Sequence, residues 1–184
     1  MILASGSPQR RAILGQLGID FRVKIPDVEE LSEGDPREVV VENARRKTRG
    51  ISGRERVLGA DTAVVLDGRI FGKPDGADEA ATFLLALSAR THEVMGGIAL
   101  REPDGSEHSD VAVTRVHMRQ IKGTLLDWYL ATGEWAERAG GYAIQGKGAA
   151  LVEGIEGDYT NVVGLPVAAM LRLASDLLRE GRAS

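Results

Sequence analysis

The 184-residue sequence contains no cysteine and only three histidines. The missing cysteines exclude disulfide bonds, thiolate nucleophiles and cysteine metal sites. His92, His108 and His117 do not have the spacing of a metal-binding motif, so we interpret them as structural or surface residues. A chain without disulfides is compatible with a reducing compartment, and we expect a cytoplasmic protein.

Long apolar runs, aromatic residues and an excess of positive charge are also missing. No apolar run approaches the roughly 20 residues of a membrane span, and no signal-peptide pattern opens the chain, so no membrane partner is expected. Aromatic residues make up 4% of the chain, so aliphatic residues must form the core. The formal net charge of −4 argues against binding to a nucleic acid polymer, but it permits binding of a single nucleotide in a local basic cleft.

Apolar periodicity and turn signals predict a mixed α/β domain spanning residues 1–184. Strands are expected over 1–4 and 20–25, in a hairpin around Asp67-Gly68, and in two long segments on either side of residues 103–105. Helices are expected over 8–17, 36–50, 77–88, 124–132 and 166–178. Because hairpins join successive strands, we expect a long curved mixed sheet surrounded by helices rather than a purely parallel sheet.

The first turn, LASGSPQRR at residues 3–11, concentrates hydrogen-bond donors. Ser7 is a favoured N-cap and Pro8 suits the first helical position. The turn would direct backbone N–H groups, the hydroxyls of Ser5 and Ser7, and Arg10 toward one point. Such a helix N-terminus can bind an anion. The alternative is an ordinary N-cap with solvated arginines.

An acidic loop and a lysine on an apolar helix face are the next candidates. The loop at residues 27–35 contains five carboxylates, including Glu30, and is either solvated or contributes a ligand to a hard cation. Lys47 continues the apolar face formed by Val40 and Ala44. Its ammonium group either extends to water or reaches into a cleft.

The segment LGADTAVVLDG places Asp61 within a strand, where aspartate is disfavoured. Asp61 is either a turn residue at a strand end or a carboxylate that serves as a metal ligand or general base. Neighbouring residues in a regular strand point to opposite faces. For Asp61 and Thr62 to serve one site, we therefore expect the strand to end or bulge there.

Two later segments complete the candidate set. Lys73-Pro74 places a cation at a fixed turn just after the hairpin. The glycine-rich segment GGYAIQGKG either forms a flexible loop or approaches a flat ligand, with Gln145 offering a donor and an acceptor to a base edge. Each signal is weak by itself. Together they supply the carboxylates, cations, hydroxyls and amide that polyphosphate chemistry requires.

Seven segments in order resemble the Maf family of nucleoside triphosphate pyrophosphatases over almost the whole chain: LASGSPQRR, VEE at 28–30, ARRK at 44–47, GADT at 59–62, GKP at 72–74, AGGYAIQGKGA at 139–149 and VVGLPV at 162–167. The resemblance implies a Maf/ITPase-like fold with two lobes around a deep cleft, often as a homodimer. It implies cleavage of a nucleoside triphosphate into the monophosphate and pyrophosphate, with Mg²⁺ or Mn²⁺ as cofactor. Removal of non-standard nucleotides is the implied biological role.

The resemblance also implies residue roles. Asp61 would be the general base and, with Glu30, would bind the metal. Lys47, Lys73 and Arg10 would neutralise the triphosphate, which Ser5 and Ser7 would also hold. Thr62 and Gln145 match the branch that acts on dTTP and UTP, and Gln9 stands where that branch usually has an arginine, which keeps a hydrogen-bonding group and removes a charge.

Two other functions stay open at this point. The same chemistry could act on 7-methyl-GTP or another modified purine triphosphate, although Thr62 and Gln145 argue against that branch. Alternatively, the protein could be a nucleotide-binding regulator of cell division or septum formation with little turnover. The intact set of Glu30, Lys47, Asp61 and Lys73 favours catalysis, because a sensor does not need a general base.

Overall fold

The structure is a computed structural model that describes residues 1–178. This part of the chain contains seven strands and six α-helices. The strands are β1 (Ile2–Leu3), β2 (Arg22–Val23), β3 (Val57–Leu66), β4 (Arg69–Phe71), β5 (Thr91–Arg101), β6 (Glu107–Met118) and β7 (Val152–Glu156). The helices are α1 (Pro8–Gln16), α2 (Pro36–Arg49), α3 (Ala77–Leu87), α4 (Thr124–Ala131), α5 (Tyr159–Val163) and α6 (Val167–Leu173).

All seven strands belong to one mixed sheet in the order β2-β1-β3-β5-β6-β7, with β4 also paired to β3. β1 runs parallel to β2 and β3, whereas the long strands β3, β5, β6 and β7 form antiparallel pairs. The predicted mixed α/β architecture is therefore confirmed. The tight turn between β3 and β4 is also confirmed, and Asp67 adopts a φ of 52° there.

Local sequence explains where α1 and α2 begin. Ser7 caps α1 by accepting a hydrogen bond from the Arg10 N–H, and Asp35 caps α2 by accepting from the backbone N–H groups of Arg37 and Glu38. A proline occupies the first turn of each helix, where its missing N–H costs nothing. These caps fix the segments that carry Arg10 and Lys47.

The two faces of β3 have different neighbours. On one face, Leu58 and Ala60 pack in an apolar cluster with α1 and α6, whereas Val64 and Leu66 pack in a second cluster with α3 and α4. Thr62 lies on this face between the two clusters. The opposite face packs against α2.

Two glycines let the backbone of α2 lie directly on the sheet. A Cβ added at Gly59 would lie 2.2 Å from the carbonyl oxygen of Ala44. One added at Gly97 would lie 2.1 Å from the carbonyl oxygen of Val40. Because glycine has no side chain at these two positions, α2 can approach β3 and β5 closely.

The expected break in β3 at residues 61–62 is wrong. The pairing with β5 runs without a bulge from Val57 to Val65, and Asp61 pairs with Gly97 and Thr62 with Gly96. On the other edge of β3, β1 pairs only with residues 57–58 and β4 only with residues 64–66. Within the described chain, residues 59–63 thus have no strand partner on that edge, and a cleft reaches both faces through this gap.

Other differences from the prediction concern short elements. Residues 166–178 do not form one helix, because α6 ends at Leu173, Ala174 has non-helical backbone angles (φ −148°, ψ 75°), and a 3-10 turn follows over Ser175–Leu178. Strands β1 and β2 are each two residues long, shorter than expected. β7 and α5 were not predicted. Among residues 1–178, no helix has both the length and the apolar character needed to cross a membrane.

Candidate active site

One cleft of about 970 Å³ collects every candidate site residue. Its walls include the first turn, the acidic loop, α2, the middle of β3, the turn after β4 and the glycine-rich segment. The residues that sequence reasoning singled out all line it: Ser5, Ser7, Gln9, Arg10, Glu30, Lys47, Asp61, Thr62, Lys73 and Gln145. The sheet topology therefore brings together groups that lie far apart in the sequence.

Arg10 is a buried cation at the back of the first turn, with 9% of its surface exposed. Its Nε donates to the Gly164 carbonyl (2.8 Å), Nη1 to Ser5 Oγ (2.9 Å) and Nη2 to Thr62 Oγ1 (3.2 Å). All three acceptors are neutral. Burial lowers the pKa of the guanidinium, and the charges of Asp61 and Glu30 oppose this shift. Because arginine stays protonated, its charge can be neutralised by an anion that enters the cleft.

The hydroxyls of the first turn hold the turn itself. Ser5 Oγ accepts from the Ser7 N–H (3.2 Å) as well as from Arg10. Ser7 Oγ donates to Gln9 Oε1 (3.1 Å). The Gln9 carbonyl is thereby turned toward the cap.

Lys47 reaches into the cleft and does not extend to water. Its ammonium donates to Asp61 Oδ1 (2.7 Å) and to Glu30 Oε2 (2.9 Å), and it also lies 3.4 Å from the Ala60 carbonyl oxygen. The Lys47 and Asp61 side chains are 9% and 14% exposed, whereas half of the Glu30 side chain is exposed. One cation therefore joins two carboxylates that belong to different segments.

Thr62 faces away from this group, on the Arg10 side of β3. Its hydroxyl accepts from Arg10 and lies 3.4 Å from the Gly164 carbonyl oxygen. The two neighbours in the strand thus contact two different walls of the cleft. Asp61 lies on the α2 side of the cleft, where Lys47 contacts it. Thr62 lies on the opposite side, beside α1 and the end of α5.

Lys73 and Gln145 lie on the wall of the cleft formed by the turn after β4 and the glycine-rich segment. Lys73 donates to Glu137 Oε2 (2.7 Å), and both side chains are exposed. This contact lowers the pKa of the Glu137 carboxyl. Gln145 is exposed in the glycine-rich segment. The segment is held against β3 because Gly140 packs on Val64 and its N–H donates to the Gly72 carbonyl (2.9 Å).

Sequence reasoning missed three participants: Asn43, Glu137 and the Gly164 carbonyl. Asn43 bridges Asp61 and the acidic loop, and it could have been found because it precedes Lys47 by one helical turn on the same face. Neither Glu137 nor the Gly164 carbonyl carries a pattern that predicts its partner.

The carboxylate pair fits a divalent cation of the magnesium type. Glu30 and Asp61 share one ammonium, so their oxygens lie close together. In the part of the chain that the structure describes, no group of three or more His, Cys, Asp or Glu side chains could hold a metal ion. Mg²⁺ uses one or two carboxylates and completes its shell with water and substrate phosphates, so two suffice.

Comparison with known proteins assigns the family. The profile of the family described as Maf-like protein matches residues 1–177. The chain belongs to the Maf-like family. Similar curated relatives are the dTTP/UTP pyrophosphatases of Dictyoglomus turgidum, 45% identical over 98% of this chain and 96% of the relative, and of Pyrococcus furiosus, 42% identical over 94% and 93%.

A solved structure supports the Maf-like fold. The HAM1 protein from Coxiella burnetii aligns with a TM-score of 0.54 over 97% of this chain and 98% of its own, at 19% sequence identity. The expected Maf/ITPase-like fold is therefore confirmed. At this identity the likeness concerns the fold alone.

Proposed function

We propose that this Maf-like chain hydrolyses dTTP and UTP to the nucleoside monophosphate and pyrophosphate. Relatives that carry this name span nearly the whole chain at 42–46% identity. The observation that supports it most directly is the buried guanidinium of Arg10, whose three hydrogen-bond acceptors are neutral and which faces the same cleft as the Glu30–Lys47–Asp61 group. A cleft with this charge arrangement suits a polyphosphate.

In the proposed reaction, water attacks the α-phosphorus and the bond to the α–β bridging oxygen breaks. Asp61 accepts a proton from the attacking water. The leaving pyrophosphate takes the bridging oxygen together with the bond's electron pair, and Arg10, Lys47 and Lys73 stabilise its charge. Ser5, Ser7 and the N–H groups of the first turn orient the triphosphate.

Glu30 and Asp61 would hold Mg²⁺ or Mn²⁺, which when bound supplies Lewis-acid polarisation of a phosphate oxygen. Lys47 joins the two carboxylates and would share them with the ion. The Lys73–Glu137 contact lies in solvent, so Lys73 can exchange Glu137 for a phosphate oxygen at little cost.

Gln9, Thr62 and Gln145 are the proposed determinants of base preference. Gln145 can pair with a base edge through its amide. The Gln9 carbonyl already accepts from Ser7, which leaves its N–H₂ group to interact with substrate. Thr62 would act through Arg10, because its hydroxyl is one of the three acceptors that orient the guanidinium.

The remaining expectations stay predictions. They are a single Maf-like domain over 1–184 with two lobes around the cleft, a homodimer, a cytoplasmic location, and a role in removing non-standard nucleotides. The two apolar clusters on either side of Thr62 support the expectation of two lobes.

The test is pyrophosphate release from a panel of nucleoside triphosphates with Mg²⁺ or Mn²⁺, for the wild type and Asp61→Asn. We expect release from dTTP and UTP, and we expect its collapse in the variant, which keeps the shape of Asp61 but removes its charge. Turnover restricted to 7-methyl-GTP would overturn the base assignment and keep the chemistry. Nucleotide binding without turnover of any triphosphate would favour the regulator.

A further inference from the structure

Asn43 links the two carboxylate-bearing segments of the cleft. It lies on α2, one turn before Lys47, and is 2% exposed. Its Oδ1 accepts from the Leu31 N–H (2.7 Å), and its Nδ2 donates to the Leu31 carbonyl (2.9 Å) and to Asp61 Oδ2 (3.0 Å). Both amide donors and the amide oxygen are therefore used.

The partners of Asn43 determine how its amide is oriented. The Leu31 N–H can only donate, so it must face the amide oxygen. The Leu31 carbonyl and the Asp61 carboxylate can only accept, so both must face the N–H₂ group. A flipped amide would lose all three hydrogen bonds.

The loop that carries Glu30 has few other anchors. Within residues 1–178, no backbone–backbone hydrogen bond involves residues 25–34. Asn43 replaces such a bond, because it pairs with both backbone groups of Leu31 as a neighbouring strand would. The other backbone anchor is the exposed contact from Arg46 to the Glu29 carbonyl (3.0 Å).

Asn43 also provides a hydrogen-bond donor to the second oxygen of the Asp61 carboxylate. The two oxygens of that carboxylate have different partners, Lys47 on Oδ1 and Asn43 on Oδ2. Glu30 contacts the same Lys47 ammonium and is the direct neighbour of Leu31. The hydrogen bonds therefore form a closed circuit through Glu30, Lys47, Asp61, Asn43 and Leu31.

We propose that Asn43 is a positioning residue that holds the Glu30 loop against Asp61, so that both carboxylates are presented together to the metal and its triphosphate. This inference rests on the proposed function. Asn43 would act through the two carboxylates and not on the triphosphate itself. It acts by fixing the rotation of the Asp61 carboxylate and the place of Glu30.

The test uses Asn43→Leu, which keeps a branched side chain and removes all three hydrogen bonds, and Asn43→Ala, which adds no bulk should leucine prevent folding. The matched control is Thr48→Val on the same helix. Thr48 is fully buried, and among residues 1–178 its hydroxyl bonds only to the Arg45 carbonyl within α2. Each variant is first checked for folding by circular dichroism.

Three experiments are then carried out: hydrogen exchange of the Leu31 amide, steady-state kinetics that give kcat and KM for dTTP at saturating Mg²⁺, and measurement of Mn²⁺ affinity. Mn²⁺ affinity is obtained by electron paramagnetic resonance with the α,β-methylene analogue of dTTP. We expect faster Leu31 exchange, a fall of about 10- to 100-fold in kcat and in Mn²⁺ affinity, and little change in KM. The Thr48→Val control should match the wild type in all three.

Faster Leu31 exchange with unchanged kcat and Mn²⁺ affinity would mean that Asn43 only stabilises the loop, and it would overturn the proposal. Unchanged exchange would overturn it as well. A wild-type protein without turnover would refute the proposed function instead. In that case the Mn²⁺ affinities of the variants would still decide whether Asn43 positions the carboxylates.

Discussion

Replacing Lys47 by methionine tests the group formed by Glu30, Lys47 and Asp61. Methionine keeps much of the apolar stem and removes the ammonium that contacts Asp61 at 2.7 Å and Glu30 at 2.9 Å. The two carboxylates would then face each other without a cation. We expect a less stable protein whose stability depends strongly on divalent ions.

The exposure of the partners sets the magnitude. Removing one partner of a fully buried ion pair costs about 3–5 kcal/mol. Asp61 is mostly buried but half of the Glu30 side chain is in water, which screens its charge, so we expect a loss of about 2–3 kcal/mol. A ligand present at 100 times its Kd stabilises a protein by about 2.7 kcal/mol, so excess Mg²⁺ should restore most of that loss.

The assay is urea unfolding of wild type and Lys47→Met, with and without excess MgCl₂, together with pyrophosphate release. We expect Mg²⁺ to stabilise the variant more than the wild type, whereas activity stays low because the ammonium no longer neutralises phosphate. Lys73→Met is the control for stability, because its exposed pair with Glu137 should add nothing measurable. A variant whose stability without Mg²⁺ lies within about 0.5 kcal/mol of wild type would show that the ammonium does not hold the two carboxylates together.

Two further predictions concern the scaffold. Burial lowers the pKa of His92 from 6.5 to about 4, so the unfolded chain binds more protons between these values and stability falls as pH drops from 6.5 to 4. This contribution to the free energy of unfolding reaches about 3 kcal/mol. In urea unfolding across that pH range, the stability of His92→Gln should therefore depend less on pH than that of the wild type. An equally steep pH dependence of the variant's stability would contradict the prediction. Gly97→Ala should cost about 3 kcal/mol, because the new Cβ would meet the Val40 backbone, whereas Gly15→Ala, with nothing within 4 Å, should not destabilise. Thermal unfolding checks this pair, and equal melting temperatures would show that α2 can move away from the sheet freely.

Helix starts could be predicted from the sequence because their signals are local. A serine or aspartate that precedes a proline and an apolar periodic pattern marks the start of a helix, and Ser7 and Asp35 are such residues. The resemblance to a family predicted that the ten candidate residues would meet in one cleft, and their spacing in the sequence did not. Composition and periodicity do not determine which segments meet across a sheet.

The expected bulge at Asp61 and Thr62 shows what local reasoning lacks. The two side chains do point to opposite faces, as a regular strand requires. They line one cleft because β1 ends early and β4 begins late along the free edge of β3. That gap depends on the lengths of two other strands, so it could not be read from residues 57–66.

Asn43 and Glu137 were missed for a similar reason. An asparagine in a polar helix and a glutamate in a loop are ordinary residues until their partners are known. Asn43 acquires its role from Leu31 and Asp61, which are 12 and 18 residues away in the sequence. A long-range hydrogen bond of this kind leaves no periodic signal.

In the proposed reaction, water attacks the α-phosphorus of a nucleoside triphosphate. Hydrolysis of dTTP in ¹⁸O-labelled water, followed by mass spectrometry of both products, tests it most directly. We predict that one labelled oxygen appears in the monophosphate and none in the pyrophosphate. Label in the pyrophosphate would show attack at the β-phosphorus and contradict the account.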